Sequence, residues 1–128
     1  MAKILLVEDN PHNRALFVTL LDSRGHEVEI AVDGKEALDK LAGPAFDLVL
    51  LDLSLPKVDG WTVARTIRGN TDPARAGVPV VALTAHAMRG DRDRALEAGC
   101  DGYVSKPVSP RELARIVDKT LERARKAA

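Results

Sequence analysis

A buried strand is predicted within residues 46–56, Phe46-Asp47-Leu48-Val49-Leu50-Leu51-Asp52-Leu53-Ser54-Leu55-Pro56. An unbroken apolar run from Leu48 to Leu51 lies between two aspartates, and a proline follows soon after. Such a run is typical of a strand with both faces covered, as in parallel sheets packed between helices. Ligands of such sheets bind at the carboxyl ends of the strands. Asp52 is therefore the first candidate for a functional residue.

Three further apolar strands, predicted at residues 3–8, 79–84 and 102–105, also end on polar side chains. The polar residues at the four strand ends are Glu8 and Asp9, Asp52, Thr84, and Ser105 and Lys106. In a parallel sheet all of these side chains gather at one edge. The sequence thus predicts a site with carboxylates, a hydroxyl and an ammonium group.

Helical patterns follow the strands with short connections. The predicted helices cover residues 11–23, 35–41, 61–68, 87–98 and 109–125, and a half-exposed strand covers 27–32. In the first helix, Leu16, Phe17, Leu20 and Leu21 are expected to face the sheet, and residues 69–73 are expected to form a surface loop. This order predicts an α/β fold, a single doubly wound (βα)5 domain over residues 1–128 with no output domain.

Composition narrows the class of protein. The 128 residues suit one domain, and the net charge of zero argues against a nucleic-acid-binding module. No apolar run approaches the ~20 residues of a membrane span, and no signal peptide is apparent, so a cytoplasmic protein without membrane contact is expected. The single cysteine, Cys100, fits a reducing compartment and is expected to be a small buried residue.

The predicted strand-end site suits a hard cation. Glu8, Asp9 and Asp52 bring three negative charges against one positive charge on Lys106. Oxygen ligands favour Mg²⁺, with Mn²⁺ as an alternative, and the three scattered histidines give no zinc pattern. A carboxylate such as Asp52 can accept a phosphoryl group, which Thr84 and Lys106 would then contact.

These residues resemble the receiver domain of bacterial two-component response regulators over nearly the whole chain. The motifs are Val7-Glu8-Asp9-Asn10, residues 50–56 with Asp59-Gly60, Ala82-Leu83-Thr84-Ala85, and Ser105-Lys106-Pro107. Asn10 and the run Thr84-Ala85-His86-Ala87-Met88 resemble the single-domain DivK type. The resemblance implies a flavodoxin-like five-stranded sheet in the order 2-1-3-4-5.

The resemblance also implies roles for the acidic residues. Asp52 would accept the phosphoryl group from the phosphohistidine of a histidine kinase or histidine phosphotransferase. Asp9 and Asp52 would bind Mg²⁺ directly, Glu8 through water, and Ser54 through its backbone carbonyl. The domain would catalyse only its own aspartyl phosphorylation and dephosphorylation, not turnover of a separate substrate.

Other positions carry expectations from the same resemblance. Thr84 and Lys106 would hold the phosphoryl oxygens, and a cis peptide would join Lys106 to Pro107. Side chains at Ser54 and His86 would flank the path of water to the acyl phosphate and tune its lifetime.

A switch in protein binding is expected to follow phosphorylation. Thr84 would move towards the phosphoryl group, and Tyr103 would turn inward. The helix near residues 87–98, the fifth strand and the last helix would then change their affinity for a downstream protein. The chain is expected to act as a stand-alone receiver, as a monomer or weak dimer, or to relay the phosphoryl group.

Alternatives from other classes stay open at this point. A flavin-binding electron carrier needs a phosphate-binding loop after the first strand, where this chain has Glu8-Asp9-Asn10. A phosphatase with Asp52 as nucleophile would normally have a second acid at position 54, which is serine. The third alternative is a receiver cut from a longer regulator or hybrid kinase, although the two termini look like natural ones.

Overall fold

A central parallel sheet organises the chain in the computed structural model, which describes residues 2–53, 60–84, 91–105 and 108–127. Its strands are β1 (Lys3–Val7), β2 (Glu27–Ala31), β3 (Leu48–Asp52), β4 (Val80–Thr84) and β5 (Gly102–Ser105). All neighbouring strands pair in parallel in the order β2-β1-β3-β4-β5, which confirms the expected topology. β3 therefore lies at the centre of the sheet, and Asp52 is its last residue.

Helices connect the strands and cover both faces of the sheet. They are α1 (Pro11–Ser23), α2 (Gly34–Leu41), α3 (Gly60–Arg68), α4 (Pro73–Ala76), α5 (Asp91–Glu97) and α6 (Pro110–Ala127). Successive strand residues face opposite sides, so alternate residues of β3 enter two separate cores. Leu51 packs with side chains of α2, α3 and α5, whereas Leu50 packs with those of α1 and α6. All five residues of β3 are buried, as its apolar run predicts.

One expectation about the helices is wrong. Leu16 is 40% exposed, whereas Phe17 and Leu21, one turn apart on a single face of α1, are almost fully buried. Consecutive helical residues point about 100° apart, and the sheet covers the face of Phe17 only. Residues 69–72 form the expected exposed loop. A short helix that the sequence did not predict, α4, begins at Pro73, because Asp72 Oδ1 accepts a hydrogen bond from Ala74 N (3.0 Å) and Pro73 occupies the first turn.

No helix in the described ranges is long and apolar enough to cross a membrane. Ser54, His86, Lys106 and Pro107 lie outside the described residues, as does the predicted start of the helix near residue 87. The expected cis peptide and the two positions expected to tune the phosphoryl lifetime therefore stay predictions.

Candidate functional site

The register of the sheet brings Asp52 next to the end of β1. Val7 pairs with Leu51, so Glu8 and Asp52 each stand one residue further along neighbouring strands. Both carboxylates are buried, with Glu8 0% and Asp52 2% exposed. Asp9 follows Glu8 and is exposed. The acid pair and the aspartate predicted from separate strand ends therefore meet at one point on the sheet edge.

The turn between β1 and α1 is held by a compact set of hydrogen bonds. Glu8 N donates to Ala31 O of β2 (3.0 Å), and Asn10 N donates to Glu8 Oε2 (3.3 Å). Asn10 Oδ1 accepts from the amides of His12 (2.9 Å) and Asn13 (3.1 Å), so Asn10 is the N-cap of α1. The Glu8 carboxylate is thus oriented by the residue that starts the helix.

The three carboxylates have the chemistry of a magnesium site. One oxygen from each of Glu8, Asp9 and Asp52 lies within 4.8 Å of the other two. Such close like charges repel one another unless a cation or proton intervenes. Carboxylate oxygens are the ligands that Mg²⁺ takes, and the exposure of Asp9 leaves a side open for the waters that this ion retains. The residues therefore fit a hard divalent cation.

Thr84 and Tyr103 occupy neighbouring strands on the side of the site away from β1. Thr84 is the last residue of β4, is 4% exposed and pairs with Ser105 of β5. Two residues earlier, Ala82 pairs with Tyr103, whose half-buried ring packs against the core under α2, α3 and α5. Because the side-chain period of a strand is two, Thr84 and Tyr103 share one face of the sheet.

Family comparison agrees with this arrangement. Residues 4–118 match the response regulator receiver domain. The chain is a response regulator receiver domain. Membership of this family displaces the flavin carrier and the phosphatase as alternatives. Receiver domains of two-component systems generally bind Mg²⁺ and interact with histidine kinases and downstream targets.

This receiver domain covers most of some relatives and only a small part of others. The polar-differentiation response regulator DivK of Brucella anthropi is 40% identical over 106 residues, which are 83% of this chain and 85% of that protein. Sensor protein GacS of Pseudomonas syringae is 41% identical over 118 residues, 91% of this chain and 13% of that protein. A hybrid signal transduction histidine kinase of Dictyostelium discoideum is 39% identical, and the chain spans only 7% of its length.

Solved structures resemble the receiver domain along nearly its whole chain. The receiver domain of sensor histidine kinase PA1611 from Pseudomonas aeruginosa, described with a magnesium ion in its active-site cleft, is 38% identical with a TM-score of 0.85. That match covers 94% of this chain and 98% of the other. A CheY-like receiver domain protein from Methanospirillum hungatei is 30% identical with a TM-score of 0.89, covering 100% and 99% of the two chains.

Gly60 brings the start of α3 against the end of β3, the strand that carries Asp52. A Cβ atom at this position would lie 2.5 Å from both Asp52 O and Leu53 Cα. Real Cβ atoms essentially never approach backbone atoms so closely, so glycine is required here. The Asp59-Gly60 part of the sequence motif thus has a physical reason at Gly60, namely the close approach to the backbone of Asp52.

Sequence reasoning missed Arg14, whose guanidinium contacts the backbone of the acid pair. Arg14 Nη1 donates to Asp9 O (2.8 Å) and Glu8 O (3.2 Å). The only signal in the sequence is a basic residue in the first turn of a helix, where it opposes the helix dipole. This signal does not reveal the contact with Glu8 and Asp9, which only the structure supplies.

Two other features of the receiver domain lie away from the acidic site. Cys100 is buried, as expected, and burial raises the pKa of its thiol to about 11, which disfavours the thiolate that a nucleophilic role would need. An apolar cavity of about 200 Å³ lies between α2, α3 and α4 at the amino ends of the strands. Its volume is below the ~300 Å³ at which ligand pockets usually begin, and it holds no acidic cluster.

Proposed function

We propose that this receiver domain accepts a phosphoryl group on Asp52, in a Mg²⁺-dependent reaction, from the phosphohistidine of a histidine kinase or histidine phosphotransferase. The observation that carries the proposal is the convergence of Glu8, Asp9 and Asp52 within 4.8 Å at the carboxyl edge of the sheet. Mn²⁺ would serve in place of Mg²⁺, because both ions favour carboxylate and water ligands.

In this proposal the Asp52 carboxylate is the nucleophile. One of its oxygens attacks phosphorus, an O–P bond forms and the P–N bond to the donor imidazole breaks, leaving the electron pair on a nitrogen that takes up a proton. A bound Mg²⁺ would supply positive charge against the phosphoryl oxygens. Glu8, Asp9 and Asp52 would hold it together with the carbonyl of Ser54.

The remaining residues would act on the phosphoryl oxygens and on the lifetime of the product. Thr84 ends the strand beside that of Asp52 and would donate a hydrogen bond, and Lys106 would pair with the added charge. Hydrolysis by water would release inorganic phosphate and restore the carboxylate. Side chains at Ser54 and His86 would flank the path of that water.

Thr84 and Tyr103 would couple phosphorylation of Asp52 to the protein-binding surface. Phosphorylation adds about −1.5 to −2 charges, which would draw Thr84 towards Asp52 and let Tyr103 turn inward on the same sheet face. The surface of α5, β5 and α6 would then change its affinity for a downstream protein. Moving such a two-state equilibrium from 1:99 to 99:1 requires about 5.5 kcal/mol of differential interaction.

A stand-alone role in the cytoplasm is part of the proposal. Its support is the match to DivK of Brucella anthropi, which covers 85% of that protein and so leaves little room there for an output domain. Such a receiver would signal by docking on other proteins or would relay the phosphoryl group. The size of the native gene product on an immunoblot tests this part: a band near 13.8 kDa supports it, and a much larger band contradicts it.

Acceptor chemistry is tested by intact mass after incubation with acetyl phosphate and Mg²⁺. We expect a gain of one phosphoryl group that disappears in Asp52→Asn and in excess chelator. Asp47→Asn is the matched control, since Asp47 is an exposed aspartate just before the other end of β3. A gain that persists in Asp52→Asn would contradict the assignment. If wild type gains nothing, the same assay is repeated with a phosphorylated histidine phosphotransferase as donor.

The switch is tested with Tyr103→Ala. We expect its phosphorylation by acetyl phosphate to match that of wild type, while binding of the phosphorylated form to a downstream partner becomes at least several-fold weaker. Unchanged partner binding would remove Tyr103 from the proposed switch without affecting the acceptor role of Asp52.

A further inference from the structure

Arg14 connects helix α1 to both residues of the acid pair. Its Nη1 atom donates to the carbonyl oxygen of Asp9 at 2.8 Å and to that of Glu8 at 3.2 Å. The two bonds run from the first turn of α1 back across the turn that follows β1. One side chain therefore contacts the backbone of both residues whose carboxylates are proposed as metal ligands.

The position of Arg14 is opposed by the helix dipole and favoured by the acids that precede the helix. The amino end of a helix carries partial positive charge, which disfavours a nearby cation. No acidic residue lies in the first turn of α1, but Glu8 and Asp9 stand just before the helix. The two backbone carbonyls supply the compensating negative ends of dipoles, so the side chain is held over the turn and not directed into solvent.

Other groups of the turn are engaged elsewhere. Glu8 N donates to Ala31 O, and Asn10 N donates to the carboxylate of Glu8. The side chain of Asn10 caps the helix through the amides of His12 and Asn13. Among the described contacts of this turn, Arg14 supplies those that hold the carbonyl oxygens of Glu8 and Asp9.

We infer that Arg14 is a positioning residue for the magnesium site. By holding two successive carbonyl oxygens it fixes the peptide planes on both sides of Asp9, and with them the direction in which the carboxylates of Glu8 and Asp9 leave the chain. This inference rests on the proposed function, because it requires that the two acids bind Mg²⁺. Outer residues that orient metal ligands typically change metal affinity by about 10–100-fold when they are replaced.

An effect of the Arg14 charge and an effect of its hydrogen bonds would change Mg²⁺ affinity in opposite directions. If its charge alone mattered, removing a cation beside three carboxylates would strengthen Mg²⁺ binding. If its hydrogen bonds matter, removal weakens Mg²⁺ binding although the site becomes more negative. Arg14→Met removes both the charge and the bonds, whereas Arg14→Lys keeps the charge but replaces the planar guanidinium with a compact, strongly hydrated ammonium group.

Isothermal titration of the unphosphorylated protein with MgCl₂ separates these cases, and circular dichroism in EDTA shows whether each variant is folded. We expect dissociation constants about tenfold higher for Arg14→Met and clearly raised for Arg14→Lys. The matched control is Arg24→Met at the other end of α1, where Arg24 contacts Asp118 of α6. This control is expected to bind Mg²⁺ as wild type does, even if it unfolds at a lower temperature.

Several results would overturn the inference. Tighter Mg²⁺ binding by Arg14→Met with wild-type binding by Arg14→Lys would show an effect of charge alone. Wild-type affinity in both folded variants would leave Arg14 only a role in stability. If Arg14→Met fails to fold, Arg14→Lys decides the question. Absence of Mg²⁺ binding by wild type would overturn this inference and the metal dependence of the proposed function together.

Discussion

Carboxylates stand at both edges of the sheet, but in opposite electrostatic settings. At the amino ends of the strands, Asp47 Oδ2 accepts a hydrogen bond from Lys3 N (2.8 Å). Asp101 Oδ2 accepts from Val80 N (2.8 Å) and from Arg68 Nη2 (2.7 Å). At the carboxyl ends, three carboxylates lie within 4.8 Å of one another. At the amino edge, Asp47 and Asp101 stand apart and each accepts hydrogen bonds, whereas at the carboxyl edge three carboxylates lie close together.

Arg68 is the centre of the amino edge. Besides Asp101, its guanidinium donates to the carbonyl oxygens of Gly99 (2.7 Å), Ala76 (2.8 Å) and Val78 (2.7 Å). It thereby joins α3 to the segments that lead into β4 and β5. The polar groups at this edge stabilise the fold through these hydrogen bonds, whereas the three carboxylates at the carboxyl edge suit the cation of the proposed function.

The largest expected effect on stability comes from replacing Arg68 at the amino edge. Arg68→Met removes four hydrogen bonds and leaves carbonyl groups without their donor, so we expect a loss of about 3 kcal/mol in the free energy of unfolding. Urea unfolding followed by circular dichroism measures it. Arg65→Met, in the last turn of the same helix and exposed, is the control and is expected to lose less than about 0.5 kcal/mol. Equal losses of unfolding free energy in Arg68→Met and Arg65→Met would contradict a specific role of the Arg68 hydrogen bonds.

A somewhat smaller effect is expected from the two glycines that bracket α3. Gly60→Ala places a Cβ atom 2.5 Å from the backbone of Asp52 and Leu53, and we expect a loss of about 2–3 kcal/mol because backbone atoms must move. At Gly69 the nearest atom to an added Cβ is 3.5 Å away, an ordinary contact. Gly69→Ala should therefore change the free energy of unfolding by less than about 0.5 kcal/mol in the same assay.

Replacing one acid at each edge should change stability in opposite directions. In EDTA, Asp9→Asn relieves repulsion at the carboxyl edge and should gain about 0.5 kcal/mol. Asp47→Asn weakens the hydrogen bond to Lys3 N and should lose about 1 kcal/mol. Millimolar Mg²⁺ should stabilise wild type and Asp47→Asn but not Asp9→Asn, because only a bound ion stabilises the folded state. Destabilisation by Asp9→Asn in EDTA would contradict the contrast between the edges.

The smallest effect concerns pH at the amino edge. His26 Nδ1 accepts a hydrogen bond from Ala2 N (3.2 Å), and burial lowers the pKa of His26 below 6.5, although Asp118 acts in the opposite direction. The unfolded chain then binds the proton more readily, so stability is lost as pH falls below about 6.5. Melting temperatures between pH 7.5 and 5.5 should decline less steeply in His26→Asn than in wild type.

The exposed first-turn histidine provides the comparison for that pH series. His12→Asn, at the start of α1, should retain the wild-type decline of melting temperature with pH. A decline in His26→Asn as steep as in wild type would show that the pH dependence arises elsewhere in the fold.

Local pattern was enough for most of the architecture and for the acids of the site. The apolar run of β3 indicates a strand buried on both faces, whatever packs on it, and polar residues at strand ends point to one edge because parallel strands share a direction. Asn10 followed by Pro11 predicts the start of α1 from local hydrogen bonding. These features depend on neighbours a few residues apart, and the structure confirms them.

The order of the elements along the chain and the candidate acids Glu8, Asp9 and Asp52 thus follow from local patterns in the sequence. Those patterns do not reveal that Leu16 lies outside the core, that Gly60 touches the backbone of Asp52, or that Arg14 and Arg68 hold opposite edges of the sheet. The physical reason is the distance over which these contacts act. Periodicity in the sequence predicts which residues of one helix or strand share a face. A long arginine side chain, or a glycine without a Cβ atom, makes contacts between elements whose separation is set by packing of the whole domain.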